Sequence, residues 1–156
     1  MKTLIVYSTK HGATEAIAKK IADVLENATL HNLNDGDVSI SDYDCIVLGS
    51  RLTAGNIHKK SLQFIEKYND ELQNKRLGLY LSGLEKSGEE GFFKHNFSQA
   101  ILDKAAAKAF LGGIFDPAKC GFAERKILKA VSNLDAYTST VDEDRINSFA
   151  QELLDI

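Results

Sequence analysis

The fold is decided by the stretch 3–25, which reads TLIVY (3–7), STKHGAT (8–14) and EAIAKKIADVL (15–25). The first piece is a short run of apolar β-formers, typical of a strand that is buried on both faces. The last piece consists of good helix formers and places its larger apolar residues on one helical face: Ile17, Ile21, Val24 and Leu25. The sequence therefore predicts a strand, a seven-residue loop and a helix.

The loop 8–14 has the composition of an anion-binding turn. It carries hydroxyl groups at Ser8, Thr9 and Thr14 and a flexible glycine at Gly12, and it leads into a helix whose N-terminal N–H groups attract negative charge. It matches neither the Walker A nor the G-x-G-x-x-G pattern, which argues against ATP, GTP and NAD sites of those kinds. Two interpretations stay open: a phosphate-binding loop, or an ordinary connection in which Thr14 is the N-cap.

The composition predicts one soluble domain, residues 1–156, with 44% hydrophobic residues and a net charge of −3. Neither a basic stripe nor a membrane-spanning apolar run is present, so we expect no nucleic-acid partner and no transmembrane segment. The two cysteines, Cys45 and Cys120, suggest neither a disulfide framework nor a zinc site, and Cys45 lies in an apolar strand as a buried hydrophobe. We expect a cytoplasmic protein without a bound metal.

The rest of the chain alternates between strands and helices. Strands are predicted at 29–33, 45–50, 77–82 and within 105–115, and helices at 57–72, 92–102, around 127–131 and at 142–154. The helix 57–72 has Leu62, Phe64, Ile65, Tyr68 and Leu72 as its predicted core-facing set. This alternation predicts an α/β fold with a parallel sheet and helices on both faces. The glycine-containing loops after Tyr7, Leu48 and Leu81 then share the carboxyl edge of the sheet, where ligands bind.

Two motifs resemble those of flavodoxins. The segment IVYSTKHGAT (5–14) resembles their FMN-phosphate loop, and DYD (42–44) followed by IVLGS (46–50) resembles their third strand and the start of the first flavin-ring loop. The resemblance covers nearly the full chain and implies a flavodoxin-like, doubly wound, five-stranded parallel sheet. Within the family it is nearest to the menaquinone-dependent protoporphyrinogen oxidase type. The hints are MKTLI (1–5), GSR (49–51) and a Gly-Gly strand followed by a proline-bearing insertion with a basic helix.

The resemblance implies FMN as the cofactor and assigns three loops to it. The first would wrap the phosphate and consists of Ser8, Thr9, Lys10, His11, Gly12, Ala13 and Thr14, without need for an arginine. The second would lie along the isoalloxazine ring and consists of Ser50, Arg51, Leu52, Thr53, Ala54, Gly55 and Asn56. The third, near the other edge of the ring, consists of Ser82, Gly83, Leu84 and Glu85. No side chain is a clear general acid, base or nucleophile, so no catalytic residue is assigned.

The chain departs from the flavodoxin pattern in its aromatic residues. It contains no tryptophan, and the second loop has no aromatic side chain to stack on the ring; Phe92 or Phe93 would either reach the ring or lie in the core. An exposed ring face suits a stacked substrate or quinone, and weaker FMN binding would explain the same feature. A net charge of −3 fits poorly with an electron carrier that docks on basic partners.

Several charged residues have open alternatives. His58 opens a helix beside the predicted ring site, either as a solvated helix start or as a group that relays protons or binds a substrate carboxylate. Arg51 would pair with an anionic substrate or with a partner carboxylate. The basic segment at Glu124, Arg125, Lys126 and Lys129 is either a solvated face or a surface that docks a partner or an anionic membrane, within a stretch 117–132 whose role the sequence leaves open.

Two functions follow from these alternatives. The first is an FMN-binding redox protein. It either dehydrogenates a porphyrinogen-like or other reduced substrate and passes electrons to a quinone, or carries electrons between protein partners. The second is a flavodoxin-like domain that has lost FMN and serves as a protein- or ligand-binding module, which the missing aromatic residues motivate.

Overall fold

The computed structural model describes residues 1–9, 12–84, 88–119, 121 and 137–155. The strands are β1 Thr3–Ser8, β2 Ala28–Asn32, β3 Cys45–Thr53, β4 Asn56–Ile57, β5 Arg76–Ser82, β6 Ala105–Phe110, β7 Ile114–Phe115 and β8 Thr138–Ser139. The helices are α1 Ala13–Leu25, α2 Lys59–Leu72, α3 Glu89–Asn96, α4 Gln99–Lys104 and α5 Glu143–Leu154, with single 3-10 turns at Leu33–Asp35 and Pro117–Lys119. None of the helices in these ranges is both long and apolar enough to cross a bilayer.

Five parallel strands form the central sheet in the order β2-β1-β3-β5-β6, which confirms the predicted doubly wound α/β fold. The short β4 pairs antiparallel with the end of β3, and β7 and β8 form a separate two-stranded ribbon. Because the chain moves from β1 outward to β2 and then back to β3, the strand order reverses beside β1. The carboxyl ends of β1 and β3 therefore flank the place where an open parallel sheet binds ligands.

The core consists of two apolar layers, one on each face of the sheet. One layer packs strand residues such as Ile5 and Val47 against α1 and α5, which contribute Ile21 and Phe149. The other layer packs the alternate strand residues against α2, α3 and α4. Since the central strands are covered on both sides, they read as continuous apolar runs rather than as an alternating pattern.

Three sequence predictions about the helices need correction. Leu62 is 43% exposed and does not face the core, because the inward stripe of α2 runs through its buried residues Ser61, Phe64, Tyr68 and Leu72. The predicted helix 92–102 is two helices, since Phe97 is extended and the Ser98 hydroxyl accepts from the Ile101 N–H and starts α4. Asp142 is the N-cap of α5 rather than its first residue.

Other predictions about single segments are confirmed or lie outside the described residues. Cys45 is fully buried in β3, as expected of a small hydrophobe. The strand predicted at 29–33 is present as β2 Ala28–Asn32. Cys120 and the amphipathic helix predicted around 127–131 lie outside the described residues.

Candidate functional site

The parallel register brings the predicted loops to one edge of the sheet. Ser8 at the end of β1 pairs with Ser50 of β3, and Arg51 of β3 pairs with Ser82 at the end of β5. The three segments that follow these positions along the chain therefore start side by side. Of the predicted site residues, Lys10, His11 and Glu85 lie outside the described part of the chain.

The start of α1 leaves backbone donors free of a side-chain cap. Gly12 is the N-cap, in the left-handed region with φ 85°, and its carbonyl accepts from the Ala16 N–H at 2.8 Å. Within the described residues no side chain caps this helix, so the alternative in which Thr14 is the N-cap is wrong. The Thr9 hydroxyl accepts from the Gly12 N–H at 2.8 Å and shapes the turn. An uncapped helix start beneath a glycine turn has the donors that an anion requires.

Several hydroxyl groups at this edge bond to one another inside the protein. Thr14 Oγ1 and Ser82 Oγ lie 2.8 Å apart, and Ser8 Oγ lies 3.5 Å from Ser61 Oγ of α2. Each of these four residues is at most 1% exposed. Their hydroxyls therefore tie β1 and β5 to the helices on the two faces. Among the described residues, the hydroxyls of Ser8 and Thr14 therefore face other side chains of the protein, and the start of α1 contributes backbone N–H groups.

A buried tyrosine supports the first turn of α1 from below. The Tyr80 hydroxyl donates to the Thr14 carbonyl at 2.8 Å, and burial raises its pKa well above the ordinary value. Its ring crosses Gly49 on the neighbouring strand, where a Cβ would overlap the ring. Sequence reasoning missed this support. The only signal was a glycine in an otherwise bulky apolar strand.

The second predicted loop is a β-hairpin. β3 continues to Thr53 and returns as β4 through a two-residue turn, in which Ala54 and Gly55 have positive φ of 51° and 79°. Asn96 of α3 fixes this turn: its amide nitrogen donates to the Gly55 carbonyl at 2.8 Å, and its amide oxygen accepts from the Ile57 N–H at 3.0 Å. The loop is therefore held in one shape, which sequence reasoning did not anticipate because Asn96 is 41 residues from the turn.

His58 joins this hairpin to α2. Its backbone N–H donates to the Ser50 hydroxyl at 3.0 Å, and its ring Nδ1 accepts from the Lys60 N–H at 3.2 Å as the N-cap of α2. Burial lowers the pKa of the His58 imidazole, and the positive charges of Arg51 and Lys60 lower it further. The ring is therefore neutral at pH 7, which the accepting Nδ1 also requires. His58 therefore lies at the start of a helix, as one of the two interpretations of the sequence expected.

The third loop packs backbone against backbone. The Gly83 N–H donates to the Gly112 carbonyl at 3.0 Å, and a Cβ on Gly113 would lie 2.7 Å from the carbonyl of Gly83. Leu84 is half-buried beside it. Phe93 lies in the core against Phe97, and the Phe92 ring lies beside the hairpin turn, 3.8 Å from where a Gly55 Cβ would be. Phe93 is therefore a core residue.

The donor set of this edge fits a phosphate-bearing ligand such as FMN. The start of α1 offers backbone N–H groups, and the half-buried Arg51 holds a guanidinium Nε that is buried without a hydrogen-bond partner among the described residues. Because a buried donor without a partner destabilises the protein, a ligand that supplies an acceptor at this position would be stabilised. No group of acidic, histidine or cysteine side chains within the described ranges could hold a metal ion.

The comparisons with known proteins point to one family. A family model described as the flavodoxin domain matches residues 4–142. An uncharacterized protein of Methanocaldococcus jannaschii is 35% identical over 112 residues, which are 70% of this chain and 69% of that protein. Protoporphyrinogen IX dehydrogenase (quinone) of Escherichia coli is 29% identical over 87 residues, which are 51% of this chain and 47% of the enzyme. The match thus spans about half the length of the enzyme.

Solved structures share the fold at low sequence identity. A short-chain flavodoxin associated with a PDU bacterial microcompartment has a TM-score of 0.61 and 24% identity, with 99% of this chain and 97% of that chain covered. A Fusobacterium nucleatum flavodoxin bound to flavin mononucleotide has a TM-score of 0.56 and 16% identity, with 99% and 98% covered.

Proposed function

Because the chain belongs to the flavodoxin domain family, we propose that it binds FMN at the carboxyl edge of its sheet and functions as a redox protein. The observation that carries the proposal is the convergence of three segments on this edge: the uncapped start of α1, the β3–β4 hairpin and the Gly83 loop. A solved flavodoxin with the same fold contains flavin mononucleotide, which supports the choice of ligand.

In this proposal each segment has one task. The start of α1 would bind the phosphate through backbone N–H groups, the hairpin residues 50–56 would line one side of the isoalloxazine ring, and the Gly83 loop would lie near its other edge. Bound FMN supplies the redox chemistry, while the chain supplies position, hydrogen bonds and exclusion of water. Gly55 suits the hairpin turn because glycine adopts its positive φ of 79° without strain.

The proposal leaves one ring face without an aromatic side chain from the hairpin. The chain contains no tryptophan, and the Phe92 ring, which lies beside the turn, packs 6.3 Å from the ring of Phe110. A stacked quinone or a reduced porphyrin-like substrate would fill such a face, and the similarity to protoporphyrinogen IX dehydrogenase supports this substrate class. The net charge of −3 favours this enzyme over a carrier that docks on basic proteins. We place the protein in the cytoplasm, where the Cys45 thiol stays reduced.

FMN binding is tested by titrating the flavin with purified protein and following its fluorescence and visible spectrum. Saturable quenching with a shifted absorption band is expected, at micromolar concentrations or below. Free, unquenched FMN at high protein concentration would contradict the proposal and favour a binding module that has lost the cofactor. Riboflavin, which lacks the phosphate, is the matched ligand control.

The reaction is tested with the FMN-loaded protein. Steady-state oxidation of protoporphyrinogen with a quinone acceptor should show turnover that free FMN at the same concentration does not reproduce. Rapid electron exchange with a flavodoxin reductase, combined with no turnover of the porphyrinogen, would instead identify an electron carrier.

A further inference from the structure

Arg51 lies on the face of β3 that is covered by α1. Along this strand Cys45 and Val47 belong to the core layer shared with α1, and side chains of a strand alternate between its faces, so Arg51 emerges on the same side. Its partner in the register, Ser82, bonds to Thr14 in the first turn of α1. Arg51 therefore lies on the face of the sheet where α1 begins.

The Arg51 side chain holds a donor that the protein itself does not use. Its Nε is buried and has no hydrogen-bond partner among the described residues, and no carboxylate of those residues forms an ion pair with it. Leaving a charged donor buried and unpaired destabilises a protein, so such a group is retained where a ligand supplies the acceptor. A planar guanidinium matches the oxygens of a phosphate, to which it can donate two parallel hydrogen bonds.

We infer that Arg51 is a charged ligand of the FMN phosphate and makes this site select phosphorylated flavin over riboflavin. The inference rests on the proposed function and extends it, because that function needs only the backbone donors at the start of α1 for the phosphate. With Arg51 included, the same oxygens are bound from two sides: by the start of α1 and by β3.

The test compares the dissociation constants of FMN and riboflavin in the Arg51→Gln variant and the wild type. Loss of a charge-assisted hydrogen bond to phosphate should weaken FMN binding about 10- to 100-fold, with riboflavin binding unchanged. Arg51→Lys keeps the charge without the planar fork, so it should recover part of the FMN affinity. Inorganic phosphate should raise the unfolding midpoint of the wild-type apoprotein more than that of Arg51→Gln.

Lys2→Gln is the matched control, because it removes one positive charge at the opposite edge of the sheet. Lys2 stacks over Tyr43 just before β1, and six strand residues place it about 20 Å from the site, beyond the Debye length of about 8–10 Å. This variant should bind FMN like the wild type. Because Arg51→Gln removes a buried donor without a partner, its unfolding midpoint should not fall.

Two results would overturn the inference while FMN binding stands. Equal losses for FMN and riboflavin in Arg51→Gln would mean that Arg51 shapes the site without binding phosphate. Unchanged affinity for both ligands would mean that it does not contribute. A wild-type protein that quenches neither flavin would refute the proposed function itself, and the inference with it.

Discussion

The contact between Gly49 and Tyr80 makes the strongest stability prediction. Gly49 of β3 and Tyr80 of β5 are paired in the register, and the tyrosine ring lies where the Cβ of any other residue at position 49 would be. Tyr80 cannot swing aside: it is fully buried, it packs edge-on against Phe149 at 6.1 Å, and its hydroxyl donates to Thr14. We therefore expect Gly49→Ala to be strongly destabilising, although it adds one methyl group.

The magnitude follows from two costs. Forcing a methyl group into a packed core costs about 1–3 kcal/mol, and displacing the ring so that the Thr14 carbonyl loses its buried donor costs about 1–3 kcal/mol more. The sum, about 2–6 kcal/mol, is a large part of the 5–15 kcal/mol of a typical domain. For a chain of this length it lowers the midpoint temperature by roughly 4–24 °C, at about 2–4 °C per kcal/mol. Urea unfolding followed by far-ultraviolet circular dichroism measures the change in free energy.

Two controls separate the clash from a general effect of alanine. Gly91→Ala in α3 meets no atom within 4 Å and should stabilise the helix by about 0.5–1 kcal/mol. In a Tyr80→Val background the ring is gone, so adding Ala at position 49 should cost almost nothing. If Gly49→Ala is as damaging in that background as in the wild type, the reasoning from the ring contact is refuted.

Three further perturbations test other contacts. Arg76→Ala removes a guanidinium that donates hydrogen bonds to the carbonyl of Leu153, at 2.5 Å, and to those of two neighbouring residues at the end of α5. Urea unfolding should show a loss of about 1–3 kcal/mol in the free energy of unfolding, and no loss would mean that Arg76 does not stabilise this helix end. Asn96→Ala frees the hairpin, so hydrogen exchange at the Ile57 amide should accelerate while β1 amides stay protected; unchanged exchange would count against this role. Burial raises the pKa of the Cys45 thiol from 9.0 to about 11. The contribution of the buried neutral thiol to the free energy of unfolding is therefore complete below pH 9 and is lost as the pH rises toward 11. In a Cys120→Ser variant at pH 8, iodoacetamide should label Cys45 only as fast as the protein unfolds, and rapid labelling of the native state, read by mass spectrometry, would disprove this.

Most of the architecture was predictable because parallel strands buried on both faces leave a clear pattern of short apolar runs. The runs beginning near Thr3, Cys45 and Leu77 gave the strands, and the helices between them required parallel crossovers. The flavodoxin resemblance, read from the turn after Tyr7 and from the strand that ends at Ser50, is confirmed by the family model. The same sequence signals did not show that α3 and α4 are separate, because one serine decides that boundary.

The amino-acid sequence by itself determined which loops meet, since strand direction alone places the segments after β1, β3 and β5 on one edge. Only the tertiary structure decided what these loops present there. It turned the hydroxyls of Thr14 and Ser82 toward each other, fixed the hairpin through Asn96 and left the Arg51 Nε without a hydrogen-bond partner among the described residues. Each of these outcomes joins residues that are far apart in the chain, and local patterns of hydrophobicity carry no information about such pairs. A strand is specified by its own neighbours, whereas a binding site depends on contacts that exist only after the sheet has formed.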